Sequence, residues 1–272
     1  MSEVYVPQLF KFSGAGNDFV VLDGRKADVS AFRETSAIVR LCREYRTDGL
    51  MILSEAPGMD FSMEFYNPDG SGGMMCGNGG RCITAFAAMQ GILPADGSRH
   101  YRFLAPDGEH ESWILSEEPG LWTVRLKMID VTEVRPSRGG WFLNTGTRHL
   151  VQFIPDVAQV DVAAKGPVLR HDPEYAPEGT NVNFVETAPD GLHVRTFEKG
   201  VEGETLACGT GLTASALAAW KAGIPPLDKK DGTVRYRLQC RRGDWLQVEF
   251  TPGDAGFTGV YLTGPAERCS LD

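Results

Sequence analysis

Sliding the 272-residue chain against itself by 132 positions brings Phe65 onto Phe197, Cys76 onto Cys208, Gly77 onto Gly209 and Gly79 onto Gly211. The register holds without a gap beyond the loop, where Ala87 meets Ala219, Gly91 meets Gly223, Ile92 meets Ile224 and Pro94 meets Pro226. One unit therefore occurs twice: a strand, a Gly-rich loop carrying a cysteine, a helix and a Gly-Ile-x-Pro stop. Glycines match by chance in a Gly-rich chain, but a cysteine at the same place in the same loop points to internal duplication. The length suits two moderate domains. The expected halves are 1–125, joined by 260–272, and 126–259, with the two cysteine loops related by a pseudo-two-fold axis.

Both helices carry small apolar residues on most sides. The first has Cys82, Ile83, Ala85, Phe86, Ala87, Ala88 and Met89, and the second has Ala214, Ala216, Leu217, Ala218, Ala219 and Trp220. A helix with so little polar surface must be enclosed by protein. Elsewhere the alternation has period two: Phe61, Met63 and Phe65; Trp122, Val124, Leu126 and Met128; Val234, Tyr236, Leu238 and Cys240. Such spacing marks half-buried strands. The stretch "RRGD" (241–244) links the last of them to Leu246, Val248 and Phe250, which predicts a hairpin. Helical spacing covers 79–90, 210–222 and 30–45, the last behind Asp28 and Ser30 as caps. The predicted class is α/β of the α+β type, each half a curved, mostly antiparallel sheet wrapped around a central helix.

A net charge of −9 and a pI near 5.1 argue against nucleic acid and anionic membrane surfaces as partners, since both require a basic face. The start "MSEVYVPQLFKF" lacks a basic segment followed by an apolar one, and no run of about 18 apolar residues occurs, so a cytoplasmic protein is expected. Six cysteines scattered over this length predict free thiols. Cys42, Cys82 and Cys240 fall on apolar faces and read as small buried hydrophobes. Cys76 and Cys82 are spaced C-x5-C, outside common zinc spacing, and no metal site is expected.

Cys76 and Cys208 differ in standing in loops where a helix begins. Unpaired N–H groups and the positive end of the helix dipole favour a thiolate there. Gly77, Gly79, Gly209 and Gly211 let a ligand approach the backbone, whose amides suit a carboxylate. One such loop would serve a nucleophile, a redox centre or an anion site. Two loops presenting sulfurs to opposite sides of one carbon would permit stereoinversion, one thiolate removing a proton while the other thiol delivers one. No cofactor is needed for that chemistry.

The segments "GAGNDFVVLD" (14–23), "TDGLMIL" (47–53), "YNPDGS" (66–71), "CGNGGRC" (76–82), "NTGTRHLV" (144–151), "GTNVNFVE" (179–186), "RTFEKGVEGETLACGTG" (195–211) and "LTGPA" (262–266) occur in this order. In this combination the chain resembles the diaminopimelate epimerase family over nearly its whole length. The resemblance implies a fold of two similar halves and a cofactor-independent epimerase interconverting LL- and meso-diaminopimelate, a small diamino dicarboxylic acid. A homodimer is also implied. Cys76 and Cys208 would be the acid/base pair, Cys76 serving the L and Cys208 the D configuration, assisted by His149 and Glu198. Asn17, Asn67, Gly77, Asn78, Thr147, Asn181, Glu198, Lys199, Gly209 and Thr210 would bind substrate. Thr147-Arg148-His149 stands where the family commonly has Asn-Pro-His, and Glu198-Lys199-Gly200 where it has Glu-Arg-Gly. Lysine offers a carboxylate a point charge where arginine offers a planar fork, so Arg148 is a candidate to supply the guanidinium that Lys199 lacks. The alternatives are a two-thiol racemase of another substrate, such as a proline racemase relative, and a non-catalytic amino-acid-binding protein.

Overall fold

The computed structural model describes residues 7–73, 75–94 and 96–272; the amino-terminal stretch read above lies largely outside them, as does Met74. In chain order the strands of the first half are β1 (Leu9–Ser13), β2 (Asp18–Asp23), β3 (Gly49–Ser54), β4 (Phe61–Tyr66), β5 (His100–Ala105), β6 (Gly108–Glu118) and β7 (Leu121–Lys127). They are followed by β8 (Val134–Ser137), β9 (Gly140–Asn144), β10 (Arg148–Phe153), β11 (Asn181–Ala188), β12 (Gly191–Glu198), β13 (Gly203–Thr205), β14 (Asp228–Lys230), β15 (Thr233–Gln239), β16 (Trp245–Gly253) and β17 (Gly256–Cys269). The helices are α1 (Thr35–Tyr45), α2 (Gly77–Met89), α3 (Val162–Arg170) and α4 (Gly209–Lys221). The chain divides into two units: residues through Leu126 together with Gly264–Asp272, and Lys127–Thr263.

In the first unit the strands pair in a closed ring, β1-β2-β3-β4-β5-β6-β7-β17 and back to β1, eight strands in all. Only β2–β3 and β4–β5 are parallel. A parallel pair needs a long crossover, and these two crossovers are the helices. α1 lies outside, its Ile38, Leu41 and Cys42 covering Val20, Leu22, Leu50 and Ile52. α2 lies inside, packed against β1, β2 and β3 on one hand and β6 on the other. Every residue of α2 from Gly77 to Ala87 is buried. Phe86 anchors it, its ring 5.3 Å from Phe10 and 5.8 Å from Phe12. A fully buried Phe contributes about 1.5–3 kcal/mol.

The second unit repeats the plan through β8-β9-β10-β11-β12-β15-β16-β17, with β10–β11 and β12–β15 parallel. The segment before β8 closes this ring on β17: Met128 N donates to Val260 O, and Val131 and Phe257 exchange hydrogen bonds. α3 is the outer crossover and α4 the enclosed one, touching β9, β10, β11, β12, β15 and β16. α2 and α4 start and stop 132 residues apart. Both end the same way, with Gly91 (φ 75°) and Gly223 (φ 74°) in the left-handed conformation that lets Ile92 N reach Ala87 O and Ile224 N reach Ala219 O. No helix among the described residues is long and apolar enough to cross a membrane.

The predicted class holds, and enclosed helices stand where their apolar surface requires them. Two local expectations change. The pattern over 30–45 splits into a 3-10 turn, Ser30–Phe32, and α1, with Glu34 at the cap and no side-chain cap bond; Asp28 instead bonds Ser30 N. α3 was not foreseen, because Gly166 and Pro167 interrupt its helical signal. Gly166 is required by packing, since a Cβ there would overlap the Phe197 side chain. Gly166→Ala is therefore expected to destabilise by roughly 1–3 kcal/mol, outweighing the ~1 kcal/mol gained in helix propensity. Gly72→Ala, facing open space, should stay within about 0.5 kcal/mol in the same denaturant titration; equal midpoints for the two variants would contradict the packing account.

Candidate active site

In the first unit Cys76 is the N-cap of α2. Its backbone is extended (φ −107°, ψ 153°), and its Sγ accepts the Gly79 N–H at 3.2 Å, the bond a serine cap would accept through oxygen. A Cβ on Gly79 would stand 3.3 Å from that sulfur, so glycine keeps both the N–H and the approach open. Asn78, 2% exposed, donates from Nδ2 to Asn17 Oδ1 at 2.6 Å. The 14–17 loop is pressed onto this first turn: Gly14 N donates to Asn17 O, and a Cβ on Gly14 would come 2.7 Å from Asn78 O. Arg81, wholly buried, binds the loop and the helix together, with Nη1 on Gly77 O, Nη2 on Gly14 O and Asn78 Oδ1, and Nε on Pro265 O. Asn67 turns to its own loop, donating to Ser71 Oγ at 3.0 Å.

Asp48 accepts the Asp18 N–H at 2.8 Å and has the Asn17 side chain as a polar neighbour that favours its charged form. Crowding by protein raises its pKa from the ordinary carboxylate value, against the lowering by those two neighbours. The residue is nonetheless exposed.

In the second unit Cys208 stands at the N-cap of α4, 8% exposed, with no cap bond from its side chain. Its Sγ lies 3.4 Å from Thr210 Oγ1, which lies 3.0 Å from His149 Nε2 and 3.1 Å from Thr147 Oγ1. His149 is fully buried, and burial lowers its pKa to about 3. The ring is therefore neutral. Its tautomer follows from Asn183. Leu150 O can only accept, so the Asn183 atom 3.2 Å from it is the amide nitrogen, and the same nitrogen donates to His149 Nδ1 at 3.0 Å. Thr196 Oγ1 donates to Asn183 Oδ1 and holds the amide that way round. The imidazole proton sits on Nε2, aimed at the hydroxyls of Thr210 and Thr147. A Cβ on Gly211 would collide with Asn183 Oδ1, so this glycine lets the amide pass beneath the helix.

The remaining candidates of this unit divide by strand face. Asn181 accepts the Lys199 N–H at 2.8 Å and donates to Thr147 Oγ1 at 3.2 Å and Arg148 O at 2.9 Å, which gathers Thr147, Asn181 and Lys199 into one network. Glu198 accepts from Thr205 Oγ1 at 2.7 Å. Side chains alternate along β10, so Arg148 points away from His149 and pairs with Glu178 at 2.8 Å. Its guanidinium is engaged there, which removes the basis for assigning it the role of the arginine absent at Lys199.

The 132-residue offset extends into these networks. Asn17 and Asn78 correspond to His149 and Thr210, and each pair is hydrogen-bonded, at 2.6 Å and 3.0 Å. Sequence reasoning passed over Asp48, Arg81, Asn183 and Thr196. Applying the offset to His149 would have exposed its match with Asn17; nothing local marks Asn183 apart from its place two residues beyond Asn181 on the same strand face.

A family model for diaminopimelate epimerase matches residues 9–119 and 141–267. The chain is 41% identical to the diaminopimelate epimerase of Chlorobaculum tepidum over 264 residues, covering 93% of this chain and 96% of that one. It is 38% identical to that of Flavobacterium psychrophilum, covering 96% and 97%. Among solved structures, a Bacillus anthracis phenazine biosynthesis protein of the PhzF family superposes with a TM-score of 0.73 at 12% identity, covering 96% of each chain. A hydroxyproline epimerase from Agrobacterium vitis gives 0.62 at 16%, covering 97% and 89%. At such identities these two likenesses concern the fold.

A histidine held neutral by burial takes up its proton on unfolding. Between pH 6.5 and about 3 the unfolded chain binds one proton more than the native one, so this contribution is full above pH 6.5 and is lost as pH falls towards 3. The unfolding free energy of the wild type relative to His149→Gln should therefore decline with falling pH by up to about 1.4 kcal/mol per unit across that window. A pH-independent difference between the two would show His149 to be protonated in the folded protein.

Proposed function

The chain belongs to the diaminopimelate epimerase family, and on that premise we propose that it interconverts LL- and meso-2,6-diaminopimelate by proton transfer between two thiols and the α-carbon. One cysteine, as thiolate, takes the α-proton and becomes a thiol. The other, as thiol, gives its proton to the opposite face and becomes the thiolate. The C–H electron pair passes into the carboxylate and returns to form the new C–H bond, so the exchange needs no oxidant, reductant or cofactor. Cys76 acts on the L centre and Cys208 on the D centre.

The observation that carries this reading is the repeated cap: in each unit a cysteine is the N-cap of an enclosed helix whose first-turn N–H groups and positive dipole end accompany the sulfur. Those amides favour both a thiolate and the charge that gathers on the substrate carboxylate as the proton leaves, the electrostatic contribution such a step most requires. Cys76 draws on the Gly79 N–H. Cys208 draws on Thr210, whose hydroxyl oxygen receives the Nε2–H of neutral His149 and can turn its own proton to Sγ or to Thr147 Oγ1. A hydroxyl that both donates and accepts serves the thiolate and the thiol alike. Glu198 is assigned an assisting role at the thiols; Asn17, Asn67, Gly77, Asn78, Thr147, Asn181, Lys199, Gly209 and Thr210 are assigned to substrate carboxylates and ammonium groups. We place the protein in the cytoplasm as a homodimer feeding lysine and peptidoglycan synthesis.

Incubating LL-diaminopimelate with the protein in D2O should yield the meso isomer with deuterium at the α-carbon. A binding protein would produce neither, and a racemase of another amino acid would produce neither until given its own substrate. Cys76→Ser and Cys208→Ser should each lower kcat by at least about 10²–10⁴-fold, the range for loss of an acid/base group. Full-speed epimerisation by the double variant would refute the two-thiol mechanism.

A further inference from the structure

We propose that Asn183 is a positioning residue for Cys208: its amide keeps the His149 proton on Nε2, so that the histidine serves as a fixed donor in a network running towards the sulfur and exchanges no proton itself. The inference rests on the reading above that Cys208 is one of the two acid/base groups.

The network takes its direction from backbone groups, each of which has only one polarity. Leu150 O accepts, so the Asn183 atom 3.2 Å away is Nδ2, and the same nitrogen faces His149 Nδ1 at 3.0 Å. Asn181 stands two residues earlier on the same face of β11. Its Oδ1 receives the Lys199 N–H at 2.8 Å, which turns Nδ2 to Arg148 O at 2.9 Å and Thr147 Oγ1 at 3.2 Å. Both amides therefore send donors forward. With Nδ1 covered by the Asn183 N–H, the imidazole has no site left to take up a proton, and Nε2 holds its own between Thr147 Oγ1 at 2.9 Å and Thr210 Oγ1 at 3.0 Å.

The hydroxyls follow, since each oxygen accepts two hydrogen bonds and donates one. Thr147 accepts from Asn181 and His149, and its own hydrogen has Thr210 Oγ1 at 3.1 Å. Thr210 then accepts from His149 and Thr147, which leaves its hydrogen for Cys208 Sγ at 3.4 Å. Turned instead to Thr147, that hydrogen would displace Thr147's own from the network. A Thr210 oxygen so occupied has no lone pair for an S–H, so a thiolate at Cys208 gains a donor and a thiol keeps its proton for the substrate. The first unit has no need of such a network. Cys76 takes an N–H from its own helix, whereas Cys208 makes no cap bond, and the side chains supply the donor in its place.

The test uses the full chain with His149→Gln, His149→Leu, Asn183→Leu and a double variant joining the last two. Glutamine carries an amide N–H that can donate as Nε2 does but exchanges no proton at neutral pH. His149→Gln should therefore keep kcat for LL-diaminopimelate within about tenfold of the wild type, whereas His149→Leu should lose about 10²-fold, the cost of one preorganised donor. Asn183→Leu should lower kcat about tenfold with KM within about threefold. Because it acts through the imidazole, it should add nothing to His149→Leu. Independent of turnover and of any variant's folding, a long-range 1H–15N spectrum of the wild type with 15N-labelled histidine should show His149 protonated at Nε2 and bare at Nδ1. A proton on Nδ1, a His149→Gln as slow as His149→Leu, or effects that multiply in the double variant would each overturn the proposal. A wild type that leaves diaminopimelate unconverted while Nε2 carries the proton would instead overturn the reading of function and leave the orientation standing.

Discussion

A helix enclosed by strands cannot surrender its first N–H groups to water, and the rest of this structure depends on how those groups are met. In both units the enclosing ring buries the helix from its first residue. The cap must therefore be small, must carry an acceptor, and must leave the approach clear. Cysteine among glycines is small, carries an acceptor and leaves the approach clear; at Cys76 the sulfur accepts the Gly79 N–H, whereas at Cys208 it makes no cap bond and lies beside the Thr210 hydroxyl. The demand that stabilises the fold also places a polarisable sulfur where negative charge is favoured.

The same backbone carries two different polar networks. In the first unit a buried arginine holds the first of two amides in series; in the second a buried neutral imidazole sits between an amide and a hydroxyl. Duplication preserved the geometry of the contact, since residues 17 and 78 meet as 149 and 210 do, and altered what is exchanged across it.

Much of this was legible from local spacing. The enclosed helices followed from apolar residues on nearly every side, and β4, β7 and β15 followed from period-two alternation. α3 escaped because Gly166 and Pro167 break its pattern, and what justifies Gly166 is Phe197, a neighbour 31 positions along the chain. The helix expected over 30–45 started late because Asp28 closes a turn on Ser30 before α1 begins. Arg148 was misjudged because its sequence neighbours, Thr147 and His149, belong to the opposite strand face, a distinction that matters only once β10 has its register against β11.

The amino-acid sequence by itself determined the duplication, the capping position of the two cysteines and the need to enclose both helices, because each depends on spacing within one short segment or on one constant offset. Only the tertiary structure decided which distant side chains meet where the two enclosed helices begin. Asn17 reaches Asn78 across 61 residues, His149 reaches Thr210 across 61, and Arg81 reaches Pro265 across 184. Such meetings exist only after strands distant in the chain have closed into a ring, where a slip of one residue would turn every partner to the other face.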